Sequence, residues 1–152
     1  MVTKLRRGWA VAILILSMFI VGAALAPGAY AASVSAKIQD VKVSYATDLA
    51  GVLGPGLPVT VVVKVKNTGS QGYTFWVGLS FKDGNGIVYD VSPQSISLGK
   101  GKTGSVTFRW TVDYYVSSGS LSTTVAVWKG YSGGYMQGEL ARWGWKVIGT
   151  VP

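Results

Sequence analysis

Residues 57–82 have the sequence LPVTVVVKVKNTGSQGYTFWVGLSFK, and this stretch decides the fold class. Leucine and valine occupy the odd positions of residues 57–65, and only Val62 is an apolar residue out of phase. Residues 73–81 repeat the pattern with aromatic, valine and leucine side chains at the odd positions. An apolar residue at every second position indicates a half-buried strand, because a helix repeats every 3.6 residues. The intervening NTGSQG is rich in residues that tolerate unusual backbone angles, so it predicts a turn between two strands.

The same alternation recurs on both sides of this stretch. Val34–Ile38 and Val41–Tyr45 alternate in opposite phases, and a bulge or a change of sheet near Asp40 explains the change. Downstream, apolar residues alternate with polar ones at 87–91, 106–112 and 121–127. No segment after the first 31 residues has the period of a helix.

Glycine-rich turns separate these segments. The sequence DGNG at residues 83–86 predicts a hairpin turn, and Pro93 is expected to end the strand that returns from it. Trp143 and Trp145 are two residues apart, so we expect both on one face of the last strand, in the core. The fold class is therefore predicted to be all-β, with one immunoglobulin-like Greek-key β-sandwich of about seven or eight strands over residues 32–152.

Residues 1–31 have the layout of an export leader, with a hydrophobic helix as its centre. Three cations lie within a short start, and an uninterrupted apolar run follows at residues 8–26. Ala29 and Ala31 then form the A-x-A pattern that a signal peptidase recognises. The first interpretation is a signal peptide cleaved after Ala31.

Two other interpretations of the leader stay open. Uncut, the apolar run forms about 28 Å of helix, close to the thickness of a bilayer core, and anchors the domain. A cut near Arg7-Gly8 is instead typical of an archaeal type IV pilin, although the run lacks an early acidic residue and breaks at Pro27. All three interpretations place residues 32–152 outside the cytoplasm. We expect an extracellular or cell-surface location, with membrane contact only through an uncleaved leader.

The charge pattern bears on the partner. The formal net charge is +8 for the whole chain, and removal of the three leader cations leaves +5. The remaining cations are scattered singly along alternating segments. A basic excess weakly favours anionic glycans or lipid headgroups, whereas a nucleic-acid site needs clustered cations. We therefore predict no nucleic-acid partner.

The composition also bears on catalysis. Histidine and cysteine are absent, which removes the usual general base, thiolate chemistry, disulfides and the usual zinc ligands. The six acidic residues form no obvious pair for glycoside hydrolysis. Asp83, Asn85 and Asp90 resemble the opening of a calcium loop, but the residues after them lack the further oxygen ligands. We predict no catalytic residue, no metal site and no cofactor.

Three segments match the pattern of a known family. They are VVVKVKNTG at residues 61–69, ISLGKGKTGSVTF at residues 96–108 and LSTTVAV at residues 121–127. They resemble the V-x-V-x-N-x-G strand and turn, the V-x-L-x-x-G-x-x-x-x-V-x-F segment and a later core strand of the CARDB family. These are immunoglobulin-like, cell-adhesion-related domains of bacteria and archaea. The resemblance covers residues 34–128 and implies an extracellular adhesion, spacer or surface-associated module without catalysis.

The segment after this resemblance carries the candidate binding residues. Trp128, Lys129, Tyr131 and Tyr135 combine aromatic rings and a cation with a glycine-rich loop. Aromatic rings stack on the faces of sugars, and a nearby cation can pair with an acidic sugar or with a ring. The alternative interpretation is that Trp128 covers the end of the sandwich while the glycines only form the turn.

Two functions follow from these observations. The first is an exported, non-catalytic binding or adhesion module of the CARDB type, whose partner is a cell-surface glycan or a surface protein. The second is a self-assembling subunit of a cell-envelope filament or pilus that lends a strand to its neighbour. Val34, Ala36 and Ile38 are the candidate donor-strand residues, because the phase change at Asp40 suits a strand that leaves its own domain.

Overall fold

The computed structural model describes residues 31–48 and 50–152, which contain seven β-strands and no helix. In chain order the strands are β1 (Ala36–Tyr45), β2 (Pro58–Asn67), β3 (Tyr73–Lys82), β4 (Val88–Leu98), β5 (Thr103–Thr111), β6 (Gly119–Ser132) and β7 (Tyr135–Val151). None of the described segments is a helix able to span a bilayer. The leader helix and the cleavage residue Ala29 lie outside the described residues, which begin at Ala31.

The strands form two antiparallel sheets. One sheet has the order β1-β2-β5, and the other has the order β4-β3-β6-β7. The constant-type immunoglobulin arrangement places the first, second, fifth and fourth strands in one sheet and the other three opposite. Here β4 pairs with β3 instead, which gives an immunoglobulin-like sandwich with three strands facing four. The all-β prediction is confirmed.

The core forms between the inner faces of the two sheets. The odd positions of β2 and β3 are buried, as their alternation predicts, except for the half-buried Tyr73. Burial of each such Val, Leu or Phe side chain stabilises the fold by about 1.5–3 kcal/mol. Phe81 of β3 stacks on Trp110 of β5 across the core, with ring centroids 4.2 Å apart. Fully buried apolar side chains from the two strands are Val59, Val61, Val63, Val65, Phe75, Val77, Leu79 and Phe81.

Strand irregularities explain where alternation predicts correctly and where it does not. The register of β1 against β2 shifts between Ile38 and Asp40, which confirms the predicted bulge. The prediction that Pro93 ends its strand is wrong, because β4 continues to Leu98. β4 is an edge strand, and its register against β3 shifts around Pro93, so the missing N–H interrupts no regular ladder.

The prediction for Trp143 and Trp145 is also wrong. Trp143 pairs with Val125 and packs against the core. Between this pair and Thr123–Lys146, two β7 residues lie opposite Thr124 alone. A bulge of this kind turns the following side chain, and Trp145 is 40% exposed rather than buried.

Asn67 and Gly69 hold the turn between β2 and β3. The buried Asn67 amide donates to the carbonyl oxygens of Gln71 (2.8 Å) and Leu98 (2.9 Å), and its Oδ1 accepts from Gly69 N (2.8 Å). Leu98 belongs to the four-stranded sheet, so this one side chain joins the two sheets. A side chain at Gly69 would collide with the carbonyl oxygen of Ser33.

Candidate functional site

The candidate site is the outer face of the four-stranded sheet. Because the odd residues of β3 point into the core, its even residues point outward. The β3–β6 register then sets Trp76 beside Trp128 and Gly78 beside Ala126. It also places Ser80 beside Thr124. The outer face therefore carries two neighbouring tryptophans at one end and small side chains beside them. These small side chains form the floor of the site.

This step in side-chain size forms a groove of about 390 Å³. Its apolar side, called the aromatic wall, is formed by Trp128, Tyr131 and the Met136 side chain, and Trp76 packs against Tyr131 without lining the groove. The Trp76 and Tyr131 rings lie 5.1 Å apart and are tilted by 42°. Gly78 keeps the floor low, because a Cβ there would approach Met136 Cε at 3.2 Å and Trp128 Nε1 at 3.5 Å. The wall thus presents ring faces above a floor without large side chains.

Arg142 is the cationic group of the groove. Its guanidinium lies 5.9 Å from the centre of the Trp128 ring and forms an ion pair with Glu139, with Nε donating to Oε1 at 2.9 Å. The hydrogen bond from Arg142 lowers the pKa of Glu139 and raises that of Arg142. The pair is exposed, so its own contribution to stability is small. The ion pair with Glu139 holds the planar Arg142 guanidinium over the Trp128 ring.

The opposite side of the groove is acidic. Asp90 lies on β4, and Ser80 Oγ donates to its Oδ1 at 2.6 Å. On the other side of the floor, Thr124 Oγ1 donates to the carbonyl oxygen of Trp143 at 2.8 Å. The groove therefore contains a carboxylate on one side and a guanidinium on the other, with hydroxyl groups between them. Such an arrangement can hydrogen-bond the hydroxyls of a ligand that stacks on the aromatic wall.

Two of the four predicted binding residues lie in the groove and two do not. Trp128 and Tyr131 line it, and Tyr131 is 39% exposed. Lys129 follows Trp128 but does not line the groove, and its side chain lies where a Cβ on Gly138 would project. Tyr135 lies at the tip of the β6–β7 hairpin, is 76% exposed and does not line the groove. The hairpin turn falls at the predicted glycines.

The candidate donor-strand residues complete the three-stranded sheet of their own chain. Ala36 is buried and pairs with Asn67, and Ile38 pairs with Val65. Val34 precedes β1 and packs against the core. β1 pairs only with β2, so it occupies an edge. Exchange of this strand between chains stays a prediction.

Asp83, considered above as a calcium ligand, is bonded by the protein itself. Its carboxylate accepts from the backbone N–H groups of Asn85, Ile87 and Ser117 and from Tyr89 Oη, at 2.9–3.1 Å. Burial alone would raise its pKa, but these hydrogen bonds outweigh burial and lower it to about 2. Burial and the Asp83 carboxylate raise the pKa of Tyr89. The described residues contain no cluster of three metal-ligating side chains.

Sequence reasoning missed Trp76, Gly78 and Arg142. Trp76 did carry a signal, because it is the only large aromatic among the outward residues of β3. Gly78 follows it on the same face and marks the step down to the floor. Arg142 carried none, because its approach to Trp128 depends on the register of β7 against β6.

No protein-family model and no curated protein matches the chain. Solved structures do match it in fold. The Bacteroides uniformis β-glucuronidase 2 aligns with a TM-score of 0.60 at 10% identity, over 75% of this chain and 14% of that one. The C-terminal domain of Wzt aligns with a TM-score of 0.54 at 17% identity, over 80% and 75% of the two chains. These identities are low enough that the likeness establishes the β-sandwich fold alone.

A CARDB domain from Pyrococcus furiosus, solved in complex with di-metal ions, also aligns. Its TM-score is 0.45 at 18% identity, over 80% of this chain and 89% of that one. A score this low does not support membership of the family. The chain spans only about one seventh of the β-glucuronidase it matches, whose activity belongs to that larger protein.

Proposed function

We propose that the protein is an exported, non-catalytic binding module of the cell surface, and that its groove binds a carbohydrate chain. The observation that carries this proposal is the aromatic wall beside a floor of small side chains. Sugar rings have apolar C–H faces that pack on aromatic rings, and their hydroxyl groups need polar partners at the rim. Trp128 and Tyr131 supply the rings, Trp76 supports Tyr131, and Arg142 and Asp90 supply the polar partners.

The non-catalytic part of the proposal is supported by the use that the fold makes of its acidic residues. Asp83 is buried in a turn, Glu139 is paired with Arg142, and Asp90 accepts from Ser80. With histidine and cysteine also absent, Asp90 is the only carboxylate among the described residues that line the groove, whereas hydrolysis of a glycosidic bond uses a pair. The CARDB-like segments lie in β2, at the end of β4, in β5 and in β6, where they serve packing and turns. An adhesion role agrees with that resemblance.

The direct test is binding of cell-wall polysaccharides to the full chain in mild detergent, measured by calorimetry. Trp128→Ala and Tyr131→Ala should each weaken binding at least tenfold, about 1.4 kcal/mol or more, since each removes a stacking surface. Gly78→Ala should also weaken it, because the new methyl group rises from the floor and its closest contact is the flexible end of Met136.

Tyr135→Ala is the matched control, because this exposed tyrosine belongs to the same hairpin and lies outside the groove. It should bind like the parent chain. Absence of binding across a broad panel of neutral and acidic polysaccharides would refute the carbohydrate proposal.

The second candidate function is a self-assembling envelope subunit that exchanges β1. One observation favours it: β1 is an edge strand with a bulge, held by pairing to β2 alone. If chains exchange this strand, the full chain forms large species by light scattering, and deletion of residues 33–39 leaves monomers. A monodisperse monomer with the segment intact would rule this function out.

A further inference from the structure

We infer that the groove continues along the sheet to a second aromatic position and that its ligand is a linear, negatively charged polysaccharide. This inference rests on the proposed carbohydrate-binding function and names the class of carbohydrate. The second position consists of Trp145 and Lys82, together with the exposed Val88 and Val147. We call this second position the lysine bank.

The lysine bank exists because of the bulge in β7. The bulge turns Trp145 to the outer face, where the Lys82 ammonium lies 4.5 Å from the centre of its ring. Lys82 pairs with Val88 on one side and with Ser122 on the other, and Ser122 pairs with Val147. One row across all four strands therefore carries Val88, Lys82, Ser122 and Val147, with an apolar side chain at each end of the row. Val147 is 66% exposed.

The distance between the two positions sets the length of the ligand. Trp128 belongs to the row of the aromatic wall, and Ser122 belongs to the row of the lysine bank, six residues earlier on β6. At about 3.3 Å per residue, the two rows are about 20 Å apart, and Trp145, opposite Thr124, lies between them. The floor between them carries Thr124 and Ala126 from β6. A monosaccharide or disaccharide cannot reach both ends, whereas an extended chain of several sugars can.

The charges set the sign of the ligand. The only ion pair in the described part of the chain is Arg142–Glu139, so Lys82 has no carboxylate partner there. Its ammonium rests on the Trp145 ring and keeps its N–H donors for a ligand oxygen. Asp90 lies in the adjacent row, toward the middle of the groove, and repels an anion there. A carboxylate or sulfate on the sugar beside Lys82 is therefore the complementary group.

The test uses oligogalacturonates from dimer to octamer, with their methyl-esterified counterparts as uncharged ligands of equal length. Calorimetry with the full chain in mild detergent should show affinity rising about tenfold or more from dimer to octamer, then levelling off. Esterification should remove most of that gain, because it removes the charge that Lys82 binds.

Variants separate the two ends of the groove. Lys82→Gln and Trp145→Ala should abolish the gain with length and leave dimer binding unchanged, whereas Lys82→Arg should retain most of it. Trp128→Ala should weaken dimer and octamer alike. Tyr114→Ala is the control, because this tyrosine is exposed in the loop after β5, outside the four-stranded sheet.

The outcomes distinguish this inference from the function on which it rests. Equal affinity for dimer and octamer, lost in Trp128→Ala, would overturn the inference and leave carbohydrate binding intact. No binding of any polysaccharide would refute the function itself. If Trp145→Ala instead converts a dimeric chain to a monomer in sedimentation, and ligand length has no effect, the lysine bank contacts a second copy and the inference is wrong.

Discussion

Asn67 forms the hydrogen-bonded connection between the two sheets at one end of the sandwich. It is fully buried and uses both amide hydrogens and its carbonyl oxygen within the protein. A buried carbonyl group that loses its donor bears the full cost of its desolvation. A small side chain here would leave the acceptors on Gln71 and Leu98 without a donor.

Asn67→Ala should lower the free energy of unfolding by about 3 kcal/mol, since several buried groups lose partners at once. Urea denaturation followed by tryptophan fluorescence measures the change. Gln71→Ala is the control, because Gln71 contributes only its backbone oxygen and its side chain is exposed. A loss below 1 kcal/mol, about the size of a surface effect, would contradict the bridging role.

Asp83 should make stability depend on pH in acid. Its pKa is about 2 in the folded protein, against an ordinary value of 3.8, so its contribution is complete above the ordinary value. As pH falls through this window the unfolded chain binds the proton first, and the contribution is lost by about pH 2. Urea titrations across the window should show stability falling with pH, and Asp83→Asn should flatten the fall. The exposed Asp40→Asn should leave it unchanged.

The strands differ in how far their sequence determines them. Alternation identifies β2 and β3 because their core contacts repeat at every second residue without interruption. The same reasoning places Trp145 in the core, because a two-residue period cannot register the extra residue opposite Thr124. β4 continues past Pro93 for a related reason, since an edge strand with a shifted register tolerates a missing N–H. The register of strand pairing, and not the alternation of the sequence, therefore determines where Trp145 and Pro93 lie.

The residues of the candidate site divide in the same way, into those that the sequence identifies and those that only strand pairing brings together. Trp128 and Tyr131 are identifiable from composition, because aromatic residues beside glycines and a lysine are visible in a single segment. Trp76 and Arg142 come from strands far apart in sequence, and only the β3–β6–β7 register brings them to Trp128. Lys129 shows the converse, because it adjoins Trp128 in sequence and lies away from the groove.

The residues before β1 are held by the turn after β2, and this contact is testable. Thr68 N donates to Ser35 O at 3.0 Å, and Ser70 N donates to Ser33 O at 3.0 Å. Gly69→Ala would force these backbones apart, because the new methyl group meets Ser33 O. We expect a loss of about 1–3 kcal/mol in stability and faster amide exchange at residues 33–36.

Gly72→Ala is the matched control for this change. It lies in the same turn, and its nearest neighbours would be at ordinary contact distances of 3.7 Å. It should leave amide exchange at residues 33–36 unchanged. Equal effects of the two substitutions would show that the turn, and not the close approach to Ser33, determines the result.

The whole domain combines a basic excess with isolated cations, and this combination predicts a specific response to salt. An exposed lysine that binds an anion is screened over a Debye length of about 8 Å at physiological ionic strength. Raising the NaCl concentration about tenfold above a low-salt buffer should therefore weaken octagalacturonate binding several-fold. Binding of the methyl-esterified octamer should not change. Lys82→Gln should lose most of this salt dependence, and an unchanged salt dependence in that variant would indicate the general field of the basic domain instead of a contact at Lys82.

The order of the strands in the two sheets also determines how the domain responds to a pulling force. Ala36, at the start of β1, pairs with Asn67, whereas Val151, at the end of β7, pairs with Gly119 at the opposite end of the sandwich. A pull between these two points runs along the strands. The ladder bonds between β1 and β2 lie across the strands, so they are sheared together instead of being opened one by one. The domain is therefore arranged to resist tension along its long axis.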